Sequence, residues 1–138
     1  MIISVFTDGG ARGNPGPAAI GVVIKVANGN VLYQLGKRIG KTTNNVAEYT
    51  ALLEALSWLA HYKQKENIDG VRCFLDSELV VSQLTGLYKI KNPKLAWLIM
   101  KIHEKKRGFS FPVTYHHIPR EKNLEADRLV NQALDESP

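Results

Sequence analysis

Short runs of Val, Ile and aromatic residues, separated by polar and glycine-rich stretches, predict β-strands in five places. An Asn28-Gly29 pair between the second and third runs is typical of a two-residue hairpin turn, so these two strands are expected to be antiparallel. Residues 9–17 are rich in Gly and Pro and predict a loop after the first strand. The five predicted strands are Ile2–Thr7, Ala19–Val26, Val31–Ile39, Val71–Leu75 and Pro112–His117.

Four further segments have the apolar spacing or the flanking residues that are typical of helices. Ser77 and Asn123 are suitable N-caps, and Asn92-Pro93 places a capping residue before a proline at the first helical position. Residues 42–45 are polar and predict a loop before the first helix. The predicted helices are Val46–Tyr62, Ser77–Leu84, a segment from Pro93 to Arg107, and Asn123–Leu134.

This element order predicts an α/β fold: three strands in a meander, then strands alternating with helices, form one mixed sheet with helices on both faces. The long first helix is a right-handed crossover, so the fourth strand should lie parallel to the first. The carboxyl ends of these two strands are then adjacent. Asp8 follows the first strand and Asp76 follows the fourth, so the two acids are expected to meet.

Length and composition are those of one globular domain covering residues 1–138. Cys73 is the single cysteine, which excludes an internal disulfide and favours a reducing compartment. No apolar run reaches the roughly 18 residues of a membrane span, and the first residues do not resemble a signal peptide. We therefore expect a cytoplasmic monomer that does not bind membranes.

The charge is positive and unevenly distributed. The net charge is +5 with a pI of about 9.4, and residues 89–107 contain seven basic residues and one acid. A basic surface of this kind attracts nucleic acids, although a solvated helix face gives the same pattern.

The paired acids have a chemical and a structural interpretation. Two adjacent carboxylates repel unless a proton or cation lies between them, and Mg²⁺ prefers such oxygen ligands. Alternatively, Asp8 is a turn residue, Asp76 favours a helix N-terminus, and Glu48 forms a capping box with Asn45. Asp127 would likewise be favourable in the first turn of the last helix without any catalytic role.

Four motifs in order resemble type 1 ribonuclease H over essentially the whole chain. They are Thr7-Asp8-Gly9-Gly10 with residues 12–18, residues 43–49 (TNNVAEY), Leu75-Asp76-Ser77, and residues 123–129 (NLEADRL). The resemblance implies a ribonuclease H-like five-stranded sheet of order 3-2-1-4-5. It also assigns Asp8, Glu48, Asp76 and Asp127 as metal-binding catalytic carboxylates.

The family cleaves the RNA strand of RNA/DNA hybrids, leaving 5′-phosphate and 3′-hydroxyl ends. The resemblance implies two Mg²⁺ ions at the scissile phosphate, with Mn²⁺ as a substitute. Asp8 would contact both ions, Glu48 mainly one and Asp127 the other.

The resemblance also implies residues that bind the hybrid, mainly through its backbone and sugars. Lys41, Thr43 and Asn92 would hold a phosphate of the DNA strand. The remaining expected contacts are Gly9, Gly10, Arg12, Gly13 and Asn14 of the first loop, Asn44 and Asn45 before the first helix, and Ser77, Tyr88, Lys89 and Lys91.

Two features depart from the family pattern. The glycines that flank a catalytic histidine in many members are missing around His117, and Arg120 stands where some archaeal-like members have an arginine. We therefore expect Arg120, ahead of His117, to be the auxiliary catalytic residue. Only seven residues separate Leu84 from Asn92, too few for the basic protrusion of some bacterial members, so duplex RNA is an additional candidate substrate.

Three other functions remain open at this stage. The chain could be a catalytically silent nucleic-acid-binding module on the same fold. It could also be an integrase-like or junction-resolving nuclease, or a domain that acts only beside a reverse transcriptase. The four acids and the first loop favour the hybrid nuclease.

Overall fold

A five-stranded mixed sheet forms the centre of the computed structural model, which describes residues 1–86 and 90–136. The strand order is β3-β2-β1-β4-β5, as predicted. β1 pairs antiparallel with β2 and parallel with β4, and β4 pairs parallel with β5. The strands are β1 (Ile2–Ala11), β2 (Gly16–Val26), β3 (Val31–Thr42), β4 (Gly70–Leu75) and β5 (Val113–His117).

Four α-helices pack on this sheet: α1 (Asn44–Ala60), α2 (Glu78–Leu84), α3 (Pro93–Arg107) and α4 (Leu124–Asp135). Two predicted caps are confirmed. The Ser77 hydroxyl accepts a hydrogen bond from Val80 N at 3.2 Å, and Asn92 Oδ1 accepts from Lys94 N at 2.9 Å. Within the described residues, no helix combines the length and the apolar character needed to cross a bilayer.

Helices cover both faces of the sheet, as predicted. Neighbouring strand residues point to opposite faces, and β2 shows this directly. Ile20, Val22 and Ile24 belong to the large core that α1 and α3 complete. Ala19 belongs to a smaller cluster with Val130, Ala133 and Leu134 of α4.

The predicted loop over residues 9–17 is shorter than expected and covers residues 12–15, because β1 continues to Ala11, where it pairs with Ala18, and β2 begins at Gly16. Gly9 is a strand residue against which α1 packs with its backbone. A Cβ on Gly9 would stand 2.2 Å from the carbonyl carbon of Ala47, closer than any real contact. Glycine at this position therefore allows the helix to approach the sheet, and it does not form a turn.

The predicted loop over residues 42–45 and the proposed Asn45–Glu48 capping box are also wrong. β3 includes Thr42, and α1 begins at Asn44. Thr43 is the N-cap, since its hydroxyl accepts a hydrogen bond from Val46 N at 3.2 Å. Glu48 has no capping role and is buried in the second turn of α1.

A second close approach fixes α4 on the other face of the sheet. Gly21 of β2 is the cross-strand partner of Asp8, and a Cβ on Gly21 would stand 2.2 Å from the carbonyl oxygen of Ala126. The residue that follows Ala126 in α4 is Asp127. The packing at Gly21 thus determines how near Asp127 comes to Asp8.

Replacing Gly21 by alanine should displace α4. Forcing a methyl group into packed backbone costs typically about 1–3 kcal/mol, and we expect Gly21→Ala to lower the free energy of unfolding by at least that amount. Gly10→Ala is the matched control, because its Cβ would meet only a Val130 methyl group at 3.6 Å. Urea unfolding of both variants measures the difference, and equal midpoints would contradict this account of the packing.

Candidate active site

Three carboxylates converge where β1 and β4 reach the same edge of the sheet. Asp8 lies in β1, Asp76 follows the last residue of β4, and Glu48 comes from α1. One oxygen atom from each of these three side chains lies within 4.8 Å of the other two. The predicted meeting of Asp8 and Asp76 is therefore confirmed, and Glu48 joins them.

Asp127 faces the same cavity from α4. This cavity has a volume of about 420 Å³ and is lined by all four acids. The Asp127 charge is one of the causes that raise the pKa of Asp8, although Asp127 is not part of the tight group of three. Its Oδ2 accepts a hydrogen bond from Asn131 Nδ2 at 3.3 Å, one helical turn further along α4.

Burial and mutual repulsion make the charged form of this cluster costly. Asp8 is 8% exposed and Glu48 is 7% exposed. Burial, with added repulsion from Asp76 and Asp127, raises the pKa of Asp8 to about 7. Burial, with repulsion from Asp8 and Asp76, raises the pKa of Glu48 well above its usual range. Both groups therefore resist ionisation unless a positive charge lies close to them.

Asn123 orients the Asp76 carboxylate, a role that the sequence analysis missed. The expected cap is only half correct: Asn123 precedes α4, but its side chain makes no capping hydrogen bond. Its buried Nδ2 donates to the carbonyl oxygen of Thr7 at 2.9 Å and to Asp76 Oδ2 at 3.1 Å. Asn123 thus joins Thr7 of β1 and Asp76 after β4 to the start of α4. The available signal was its place in the motif of residues 123–129.

Comparison with known proteins identifies the family to which this chain belongs. A family model described as "Reverse transcriptase-like" matches residues 6–133. The structure of LC11-RNase H1, isolated from compost, in complex with an RNA/DNA hybrid superposes with a TM-score of 0.91 at 50% identity, covering 96% of each chain. This chain belongs to the type 1 ribonuclease H family.

Other members of the ribonuclease H family are similar over nearly the whole of this chain. A ribonuclease HI of Halobacterium salinarum is 39% identical over 136 residues, and a bifunctional protein of Mycobacterium tuberculosis is 38% identical over 136 residues. Each alignment covers 98% of this chain but only 65% and 36%, respectively, of the two relatives. The chain thus spans less than two thirds of these curated relatives.

The ribonuclease H family depends on divalent metal ions, and the residues of this cavity fit such an ion. Hard cations prefer carboxylate oxygens as ligands. Three such oxygens, from Asp8, Glu48 and Asp76, lie within 4.8 Å of one another, close enough to bind the same ion. Glu48 Oε2 is buried and has no hydrogen-bond partner among the described residues. A cation here would supply that missing partner and offset the repulsion that raises the pKa of Asp8.

Most of the other residues expected to bind the hybrid line the cavity: Gly9, Gly10, Arg12, Asn44, Asn45 and Ser77. Several of them also make structural contacts. Arg12 forms a 2.6 Å ion pair with Asp135, and Asn44 Oδ1 accepts from Ala11 N at 2.8 Å. Asn14 lies outside the cavity lining, where its Oδ1 accepts from Asn44 N at 3.0 Å. Gly13, which also lies outside the lining, forms the turn with a φ of +99°.

The residues expected to hold a DNA phosphate are only partly brought together. Lys41 lines a separate cavity of about 300 Å³, which it shares with Thr42 of β3 and Lys94 of α3. Thr43 and Asn92 do not line it, because their side chains cap α1 and α3. Lys94 is a further candidate at this cavity, and only the structure indicates it. Lys91 is exposed, and the expected contacts Tyr88 and Lys89 lie outside the described residues.

The structure separates the two candidate auxiliary residues. Arg120 is exposed and lines the carboxylate cavity. His117 is exposed at the end of β5, where it pairs with Leu75, and it does not line that cavity.

The raised pKa of Asp8 predicts a pH-dependent stability in the absence of metal. Between about pH 4 and pH 7 the folded protein binds more protons at Asp8 than the unfolded chain, so the free energy of unfolding falls as pH rises. A shift of this size corresponds to about 4 kcal/mol, and we expect Asp8→Asn to be about 1–4 kcal/mol more stable than the wild type at pH 8 in EDTA.

This difference should disappear near pH 4 and shrink when Mg²⁺ is added at pH 8, because both a proton and a cation neutralise Asp8. Urea unfolding at the two pH values measures it. Glu66→Gln, which removes an exposed acid from the short helix before β4, is the matched control. An Asp8→Asn variant less stable than the wild type at pH 8 in EDTA would contradict the electrostatic account.

Proposed function

We propose that this chain is a ribonuclease H that hydrolyses the RNA strand of RNA/DNA hybrids and leaves 5′-phosphate and 3′-hydroxyl ends. The observation that carries this proposal is the convergence of the Asp8, Glu48 and Asp76 oxygens within 4.8 Å, in a cavity that Asp127 completes. The complex of LC11-RNase H1 with an RNA/DNA hybrid supports the choice of substrate.

Two Mg²⁺ ions per site, with Mn²⁺ as a substitute, are the proposed cofactors. Asp8 would contact both ions, Glu48 mainly one of them and Asp127 the other, while Asp76 completes the oxygen ligands. When bound, such ions activate the attacking water and stabilise the charge that develops on the leaving 3′ oxygen.

The remaining residues of the cavity keep these oxygens in place and control their protons. Asn123 holds Asp76 in one orientation through the 3.1 Å hydrogen bond to Oδ2. Asp8 and Glu48 must lose their protons before they bind a cation, and the raised pKa of both groups makes this loss depend on pH.

The hybrid would be recognised through its backbone and its sugars, with little sequence specificity. Gly9 and Gly10 line the cavity beside Asp8, and the RNA strand would approach their backbone groups. The amide groups of Asn44 and Asn45 line the same cavity and would reach the 2′-hydroxyls and base edges. A phosphate of the DNA strand would lie in the separate cavity between Lys41 and Lys94.

Residues 1–138 would form one such domain and act as a cytoplasmic monomer. Duplex RNA is an additional candidate substrate, because it presents the same 2′-hydroxyls in a wide, shallow minor groove.

The direct test is cleavage of one end-labelled RNA strand presented in three forms: paired with DNA, paired with RNA, and single-stranded. A DNA duplex of the same sequence is the fourth substrate, and each is incubated with Mg²⁺, Mn²⁺ or EDTA. We expect metal-dependent cleavage of the RNA in the hybrid, and a loss of about 100-fold or more in Asp8→Asn, equivalent to about 2.7 kcal/mol of transition-state stabilisation.

Glu66→Gln again serves as the charge-matched control and should cleave like the wild type. Cleavage that persists in Asp8→Asn would overturn the assignment of the cavity as the catalytic site. Retained binding of the hybrid without cleavage in either metal would instead favour a silent nucleic-acid-binding module.

Arg120 should contribute more to catalysis than His117, because Arg120 lines the cavity and His117 does not. An arginine cannot act as a base, since it stays protonated, so its role would be to hold a phosphate oxygen. We expect Arg120→Ala to lower kcat about tenfold, or about 1.4 kcal/mol, with partial rescue by Arg120→Lys, and His117→Ala to stay within about twofold. A larger loss in His117→Ala would reverse this order.

A further inference from the structure

Trp97 is unusually exposed for a tryptophan and lies between two lysines on α3. It is 46% exposed, whereas tryptophan side chains are on average largely buried. The Nζ atom of Lys94 lies 5.4 Å from the centroid of its ring, and that of Lys101 lies 5.6 Å from it. Residues three and four apart share one side of a helix, so these side chains form a line that we name the Lys–Trp–Lys stripe.

The contacts with the ring hold both lysines close to the protein surface. An ammonium group over an aromatic face is attracted by the ring, and this attraction limits the freedom of a long side chain. Less conformational entropy is then lost when an anion binds. The stripe therefore presents two positioned cations around an apolar ring, a combination suited to the regularly spaced phosphates and intervening sugars of a nucleic-acid backbone.

The charge around the stripe favours a polyanion. Helix α3 contains five basic residues, and Glu104 is its only acid. Glu104 lies 3.5 Å from Lys101, but both side chains are well exposed, and exposed pairs of this kind are weak. A phosphate group can therefore compete for Lys101.

The stripe begins at the cavity to which we assign a DNA phosphate. Lys94 belongs to both, since it lines that cavity together with Lys41 and also contacts Trp97. From Lys94 to Lys101 the helix rises about 10 Å. At 3.4 Å per nucleotide along the duplex axis, this length corresponds to about three phosphates of one strand.

We propose that the Lys–Trp–Lys stripe extends the duplex-binding surface beyond the phosphate cavity, so that Trp97 and Lys101 contact the same nucleic-acid strand within a length of about three phosphates. This inference rests on the proposed function for the identity of the duplex, but the stripe is separate from the catalytic carboxylates. It gives the chain a second anchor for long hybrids.

The first test compares Lys101→Gln with Arg107→Gln in the intact chain. Arg107 is an exposed cation of the same helix, but it lines a different groove with Met100 and His103. For a hybrid of about 20 base pairs, we expect Lys101→Gln to raise KM about three- to tenfold without changing kcat, and to reduce the salt dependence of log KM by about one, the contribution of one phosphate contact. Arg107→Gln should behave like the wild type. Unchanged KM in Lys101→Gln, or an equal rise in Arg107→Gln, would overturn the stripe.

The second test observes Trp97 directly and needs no cleavage. The chain has two tryptophans, and Trp58 is stacked between Tyr33 and Tyr62. In EDTA, the hybrid should quench the tryptophan fluorescence of Trp58→Phe, in which Trp97 remains, but not that of Trp97→Phe. Equal quenching in both variants would overturn the stripe.

The two tests separate this inference from the proposed function. If the wild type cleaves the hybrid and the stripe variants behave like the wild type, the proposed ribonuclease function stands and the stripe proposal is wrong. If the wild type cleaves no substrate but the hybrid quenches the fluorescence of Trp97, the proposed ribonuclease function is wrong and the stripe proposal stands.

Discussion

Backbone contact at two glycines, one beside Asp8 and one across from it, is the constraint on which the site depends. Gly9 lets α1 approach β1 so closely that a single methyl group would meet the Ala47 carbonyl, and Gly21 does the same for Ala126 of α4. Glu48 and Asp127 are the next residues of these two helices. Helices on opposite faces of one sheet thereby deliver their acids to the strand that carries Asp8.

The same contact creates an electrostatic cost. Four acids share one cavity in a chain whose net charge is +5, and burial and repulsion raise the pKa of Asp8 to about 7. Only a proton or a cation relieves this repulsion. Strand pairing holds Asp8 in this arrangement, and the hydrogen bond from the Asn123 amide holds Asp76. Affinity for divalent cations is thus a physical consequence of how the sheet and helices pack.

The parallel placement of β4 beside β1 and the meeting of Asp8 with Asp76 could be predicted, because apolar patterning and the handedness of crossovers constrain both. The full strand order, with β5 at the edge, was predicted from the family resemblance. The predictions near Gly9 and Thr43 failed for one reason: local composition indicates loops where tertiary contact decides the structure. Gly9 is required by a helix distant in sequence, and Asn123 hydrogen-bonds to Thr7, 116 residues away. The cavity that Lys41 shares with Lys94 could not be predicted either, because the two residues are distant in sequence and come to the same cavity only when α3 packs.

The central claim is that this cavity holds divalent cations and the RNA strand at the same time. A crystal structure of the Asp127→Asn variant with an RNA/DNA hybrid and Mg²⁺ tests it most directly. The account predicts density for Mg²⁺ among the Asp8, Glu48 and Asp76 oxygens, with an RNA phosphate beside it and the DNA strand near Lys41 and Lys94. A hybrid bound on another face, or a cavity with neither ion nor phosphate, would contradict it.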